Sequence, residues 1–108
     1  MYNKVIDILN KAVVKSIKVY DVTSLTPFFD YSIVCSVNTS RQGNAAVNYL
    51  KKEAEMNGLT VKSFTTTSDT TWFLVDLTDI VVHLFVGEER IKYNLDEMYG
   101  NNPVEYIE

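Results

Sequence analysis

His83 is the only histidine in the chain, Cys35 the only cysteine and Trp72 the only tryptophan, so any chemistry needing those groups rests on single copies. A zinc site needs three or four converging Cys, His or carboxylate ligands, and one histidine with one distant cysteine does not supply them. A Cys35/His83 nucleophile–base pair across a sheet is compatible with the sequence. It would need an orienting third group and an oxyanion site, and neither stands out. Cys35 sits in the nearly continuous apolar run 31–37, the pattern of a strand buried on both faces, and is read as a small buried hydrophobe. Asp76 and Asp79 lie in a polar break between two apolar runs. Paired carboxylates can hold Mg²⁺, but at a turn tip they more often bond their own backbone. Gly43, Gly58, Gly87 and Gly100 are scattered, with no phosphate-cradling loop and no dinucleotide fingerprint. No catalytic residue, metal ligand or cofactor is assigned.

Recognition suits these residues better than catalysis. Residues 72–77 and 80–85 read as the two strands of an antiparallel hairpin with a tight polar tip. With Val75 opposite Ile80, Trp72 faces His83 and Leu74 faces Val81. One face then carries Trp72, Leu74, Val81 and His83. The other carries Phe73, Val75, Ile80, Val82 and Leu84, which is plain core. The first face, with Asp76 and Asp79 at its edge, is a candidate partner-binding surface built around an aromatic anchor. Arg90 and Tyr93 on the following helix are expected to extend it.

The rest of the chain must hold that hairpin. Residues 4–14 put Val5, Ile8, Leu9 and Ala12 on one helical face, with Asn3 as N-cap. Residues 17–22 and 31–37 read as strands, separated by a loop in which Pro27 turns Thr26 away from helix. Thr39 and Gln42 form a capping box, and the helix they open ends at Gly58. Residues 61–64 form a further strand, followed by the hydroxyl-rich connection 65–71. After the hairpin, Glu88 and Glu89 open a last helix in which Ile91, Leu95 and Met98 share a face, ending at Gly100. The order is αββαβββα. The step from 31 to 64 calls for a parallel crossover, whereas the hairpin is antiparallel. The expected class is therefore α/β (α+β), a mixed sheet of about five strands with helices packed on it.

A chain of 108 residues with 46% hydrophobic content fits one globular domain, expected over 1–100 with a loose tail at 101–108. No apolar run is long enough to span a bilayer. Asp7, Lys11 and Lys15 break any signal-peptide pattern, so a cytoplasmic location is expected. A single cysteine excludes an internal disulfide. The net charge of −4 is uneven: residues 1–62 carry +3 and residues 63–108 carry −7. That balance disfavours general nucleic-acid binding, which needs clustered Lys and Arg, and favours a basic protein surface as partner.

In order along the chain, Asp21-Val22, Asp30 through Ser36, Thr39 through Gln42, Trp72 through Leu77, Asp79 through Phe85, Glu89-Arg90, Tyr93 and Leu95 resemble the ribosomal silencing factors, the RsfS or Iojap-like family. Departures from the family pattern fall at Ser32, Val37, Thr71, Thr78 and Tyr99. Thr78 stands where the family frequently has glycine in the hairpin turn. The resemblance implies a fold related to nucleotidyltransferases without their catalysis. It also implies a translation repressor that binds the large ribosomal subunit through its L-fourteen-type protein and keeps the small subunit from joining. Two other classes stay open: a nucleotide-using enzyme on the transferase-like scaffold, and a self-associating module that pairs through the Trp72 face when free.

Overall fold

A computed structural model of the chain describes residues 2–65, 67 and 69–100, together with the backbone of 103–107. The elements run α1 (Asn3–Lys11), β1 (Lys15–Asp21), β2 (Tyr31–Val37), α2 (Ser40–Met56), β3 (Ser63–Phe64), β4 (Trp72–Asp76), β5 (Ile80–Val86), α3 (Glu89–Tyr93), α4 (Leu95–Met98) and β6 (Pro103–Ile107). All strands join one mixed sheet in the order β3-β4-β5-β2-β1-β6. β2 and β5 are parallel, and every other neighbouring pair is antiparallel. The α2 crossover therefore returns the chain parallel to β2, as its sequence requires. β3 lands at the far edge, with β4 and β5 between it and β2, instead of beside β2.

β2 has neighbours on both sides and is buried along nearly its whole length, which is why 31–37 is apolar almost without alternation. One face of the sheet holds the main core. There Val5 and Leu9 of α1 and Val47 and Leu50 of α2 meet Val19, Ile33, Cys35, Phe73, Val75, Val82 and Leu84. α2 comes down closest at Gly43, where an added Cβ would lie 2.2 Å from a carbon of the Phe73 ring. Only a residue without a side chain fits that approach. The opposite face carries a smaller cluster of Tyr20, Val22, Val34, Phe85 and Tyr99, with Phe29, Trp72 and Leu95 packed against it.

Four expectations change. Asn3 is the first residue of α1, whose N-cap is Tyr2 with no side-chain bond and which stops at Lys11. The last helix is broken in two by Asn94, whose left-handed backbone (φ 52°) ends α3 and redirects the chain into α4. The shared face of Ile91, Leu95 and Met98 is lost with the break, leaving Ile91 75% exposed and Met98 largely in solvent. Where a loose tail beyond residue 100 is expected, residues 103–107 add β6 to the edge of β1. The rest of 101–108 lies outside the described residues. β6 occupies an edge of β1 that would otherwise present unpaired amides and carbonyls.

The capping box is present: Gln42 donates its amide to Thr39 Oγ1 at 3.1 Å. The reciprocal bond goes one residue further out, from the Asn38 amide to Gln42 Oε1 at 2.9 Å. Gly58, with φ 79°, follows the α2 terminus in the left-handed conformation expected of it.

Candidate functional site

The β4–β5 hairpin closes through a two-residue loop, because Leu77 donates its amide to the carbonyl of Ile80 at 2.8 Å. Asp76 Oδ1 accepts the Thr78 amide at 2.9 Å and so helps form the turn. Pairing Val75 with Ile80, as the sequence suggested, would need four loop residues. The observed register is two residues further on: Val75 opposite Val82, Leu74 opposite His83 and Trp72 opposite Phe85. A shift by an even number keeps every side chain on its face. Trp72, Leu74 and His83 therefore still share one face with Val81, and Phe85 joins them.

Four rings gather there. The Trp72 ring centroid lies 4.6 Å from Tyr93, 5.1 Å from Phe85 and 5.9 Å from His83. The Trp72 indole Nε1 donates to His83 Nδ1 at 3.1 Å. Phe85 is fully buried beneath, Trp72 and Leu74 are half-buried, and Tyr93 is 44% exposed. His83 is 6% exposed, and burial pushes its pKa down to about 4, so the ring is neutral in the fold. Thr71 donates to Glu89 Oε1 at 2.9 Å and ties the start of α3 to the strand beside Trp72. The result is a firm aromatic surface with Asp76 and exposed Asp79 at the hairpin tip.

A family model described as "Ribosomal silencing factor during starvation" matches residues 1–108. The chain belongs to this family. Ribosomal silencing factor RsfS of Bacillus subtilis (strain 168) is 36% identical over 84 residues, covering 78% of this chain and 71% of that protein. The factor of the same name from Halalkalibacterium halodurans is 35% identical over 79 residues, covering 73% of this chain and 68% of that one. A solved structure from Chromobacterium violaceum superposes with a TM-score of 0.83 at 26% identity, covering 90% of this chain and 81% of that chain. One from Bacillus halodurans reaches a TM-score of 0.80 at 27% identity, covering 94% and 92%. The family name denotes a regulator of ribosomes, which agrees with a surface built for contact.

The other residues singled out in the sequence fall into place on the silencing-factor fold. Cys35 is fully buried, its thiol pushed up to about 12 by burial. It points with Leu84 into the main core, while His83 sits with Val34 on the opposite face. The thiol reaches only the backbone carbonyl of His83, at 3.5 Å, so the two side chains form no dyad. Among the described residues no group of three or more His, Cys, Asp or Glu converges as a metal site. No helix among them is long and apolar enough to cross a membrane.

Arg90 does not extend the surface. Its Nε and Nη2 donate to the two carboxylate oxygens of Asp96 at 2.8 and 3.0 Å. Its Nη1 donates to the Ser16 carbonyl at 2.6 Å and to Ser36 Oγ at 3.0 Å. Tyr20 adds its hydroxyl to the same carboxylate at 2.6 Å. Burial alone would raise the pKa of Asp96. The bonds from Arg90 and Tyr20 and the nearby positive charges outweigh it and hold the carboxyl below its usual range. The guanidinium thus clamps α3 and α4 onto β1 and β2. Sequence reasoning missed Asp96, Tyr20, Ser16 and Ser36, because the network joins residues up to 76 positions apart and leaves no local pattern. It also missed Ile91 as surface, since helical spacing alone placed it in the core.

Proposed function

We propose that the chain silences ribosomes by occupying space: it docks on the large subunit through a protein of the L-fourteen type and keeps the small subunit from joining. The half-exposed Trp72, held on a rigid sheet in a chain of this family, carries the reading. A blocker needs no bond-making residue. It needs a stiff patch with an aromatic anchor and charges that suit a basic partner. Trp72, Leu74 and Tyr93 supply the contact, Asp76 and Asp79 the acidic rim, His83 support from below, and Arg90 the clamp that holds Tyr93's helix. The protein acts in the cytoplasm, without a cofactor and without catalysis.

Co-sedimentation with isolated large subunits, followed by a small-subunit joining assay, tests this. The parent should pellet with large subunits and reduce joining, and Trp72→Ala should lose both while remaining folded. A folded Trp72→Ala variant that still pellets and still blocks joining would refute the assigned surface. A parent that ignores large subunits yet binds ATP or CTP with Mg²⁺ in a calorimetric titration would instead favour the nucleotide-using class. In the absence of ribosomes the same half-apolar face is suited to self-pairing, which light scattering with and without large subunits resolves.

A further inference from the structure

His83 lies under the binding surface, too buried at 6% exposure to serve as a contact itself. We propose that His83 is a positioning residue: by accepting the indole N–H of Trp72 at Nδ1, it fixes the tryptophan ring in the orientation its protein partner meets. This rests on the reading of the Trp72 face as the docking surface.

A half-exposed indole ordinarily turns its N–H toward water or a partner. Here the N–H is spent inside the protein, on a ring nitrogen 3.1 Å away. Tyr93 and Phe85 hold the indole plane at centroid distances of 4.6 and 5.1 Å. Because Nδ1 accepts, a neutral imidazole must carry its proton on Nε2. Burial keeps the ring neutral, so the Nδ1 lone pair is always available to the indole. Nε2 is itself buried and has no hydrogen-bond partner among the described residues. A leucine at this position would fill similar space without stranding an N–H, so packing does not account for the imidazole. The one bond it makes does.

A tryptophan already held in place does not lose rotamer freedom on binding, a saving of about twofold to tenfold in affinity for one side chain. Trp72 is the only tryptophan, so its indole gives a single ¹⁵N–¹H resonance in the full-length protein. The experiment reads that resonance and the affinity for isolated large subunits in the parent, His83→Asn, His83→Leu and Trp72→Ala. Asparagine keeps an acceptor oxygen near the Nδ1 position, and leucine does not. The parent indole proton should exchange slowly with water. His83→Leu should shift it, speed its exchange and weaken subunit binding by about twofold to tenfold. His83→Asn should restore most of both. Should His83→Leu fail to fold, His83→Gln takes its place, since its acceptor sits one carbon too far out. A folded variant without the bond that binds subunits like the parent overturns the inference, provided Trp72→Ala has lost binding. Trp72→Ala binding like the parent overturns the docking surface itself, and the positioning role with it.

Discussion

Replacing Arg90 by alanine removes four hydrogen bonds at once, two of them the bidentate pair to Asp96. The side chains of Arg90 and Asp96 are 13% and 26% exposed, so the pair is screened little by solvent. Breaking a buried pair by deleting one partner costs about 3–5 kcal/mol. The residual exposure of Asp96, and the Tyr20 hydroxyl that still bonds it, reduce this to about 2–3 kcal/mol. At roughly 4 °C per kcal/mol for a domain of this size, the midpoint should fall by about 10 °C. Arg90→Lys should recover less than half, because a point charge cannot fork onto both carboxylate oxygens while also reaching the Ser16 carbonyl. Thermal unfolding followed by far-UV circular dichroism gives the stability. Co-sedimentation with large subunits, well below the midpoint, gives the binding. The clamp requires stability to fall while binding by the folded fraction drops modestly, through looser positioning of Tyr93. If Arg90→Ala melts like the parent but no longer pellets with subunits, the arginine is a contact residue and the clamp is wrong.

Acid should weaken the fold through His83. The unfolded chain takes up a proton below about pH 6.5, whereas the folded ring resists until about 4, so this contribution is intact above 6.5 and lost as pH falls toward 4. The loss amounts to about 3 kcal/mol, and urea midpoints measured between pH 7 and 4.5 should fall less steeply for His83→Asn than for the parent. An equal slope would mean that the histidine is not held neutral. Gly43→Ala should destabilise by about 1–2 kcal/mol despite alanine's better helix propensity, because its Cβ would meet the Phe73 ring at 2.2 Å. A rise in the urea midpoint would show that α2 can lift off the sheet without cost. Ser32→Ala should stabilise by about 1 kcal/mol, since Ser32 Oγ is buried with no partner among the described residues and its removal ends an uncompensated desolvation. A lower melting midpoint for Ser32→Ala would contradict this.

Much of the fold was legible where a single local rule governs. The run 31–37 has no polar alternation because β2 is sandwiched between β5 and β1, and its boundaries match the observed strand. Thr39 and Gln42 announced the start of α2, and Gly58 its end, since caps act within a few residues. The segment 103–107 reads in sequence as part of a loose tail. It becomes a strand because β1 offers an open edge, which only the assembled sheet reveals. The α3–α4 break was hidden for a related reason. Asn94 adopts the left-handed conformation more readily than most residues, but nothing local says when it will.

The proposed binding surface was half legible, and the division follows from which quantity each claim needed. Face assignment depends only on parity, so an error of two in the hairpin register left Trp72, Leu74 and His83 together. Roles depend on three-dimensional partners, which parity does not give. Arg90, an exposed-looking cation in the first turn of a helix, is consumed by a carboxylate six residues on and a carbonyl 74 residues back. His83, grouped with contact residues, proves to be buried and to hold the tryptophan by its indole N–H. Two residues grouped with the contact surface in the sequence thus bond inward, Arg90 between the helix that carries Tyr93 and the sheet, and His83 to the ring of Trp72. On the proposed reading, these polar groups lie behind the contact surface, where they can stiffen it without having to be stripped of water when a partner arrives.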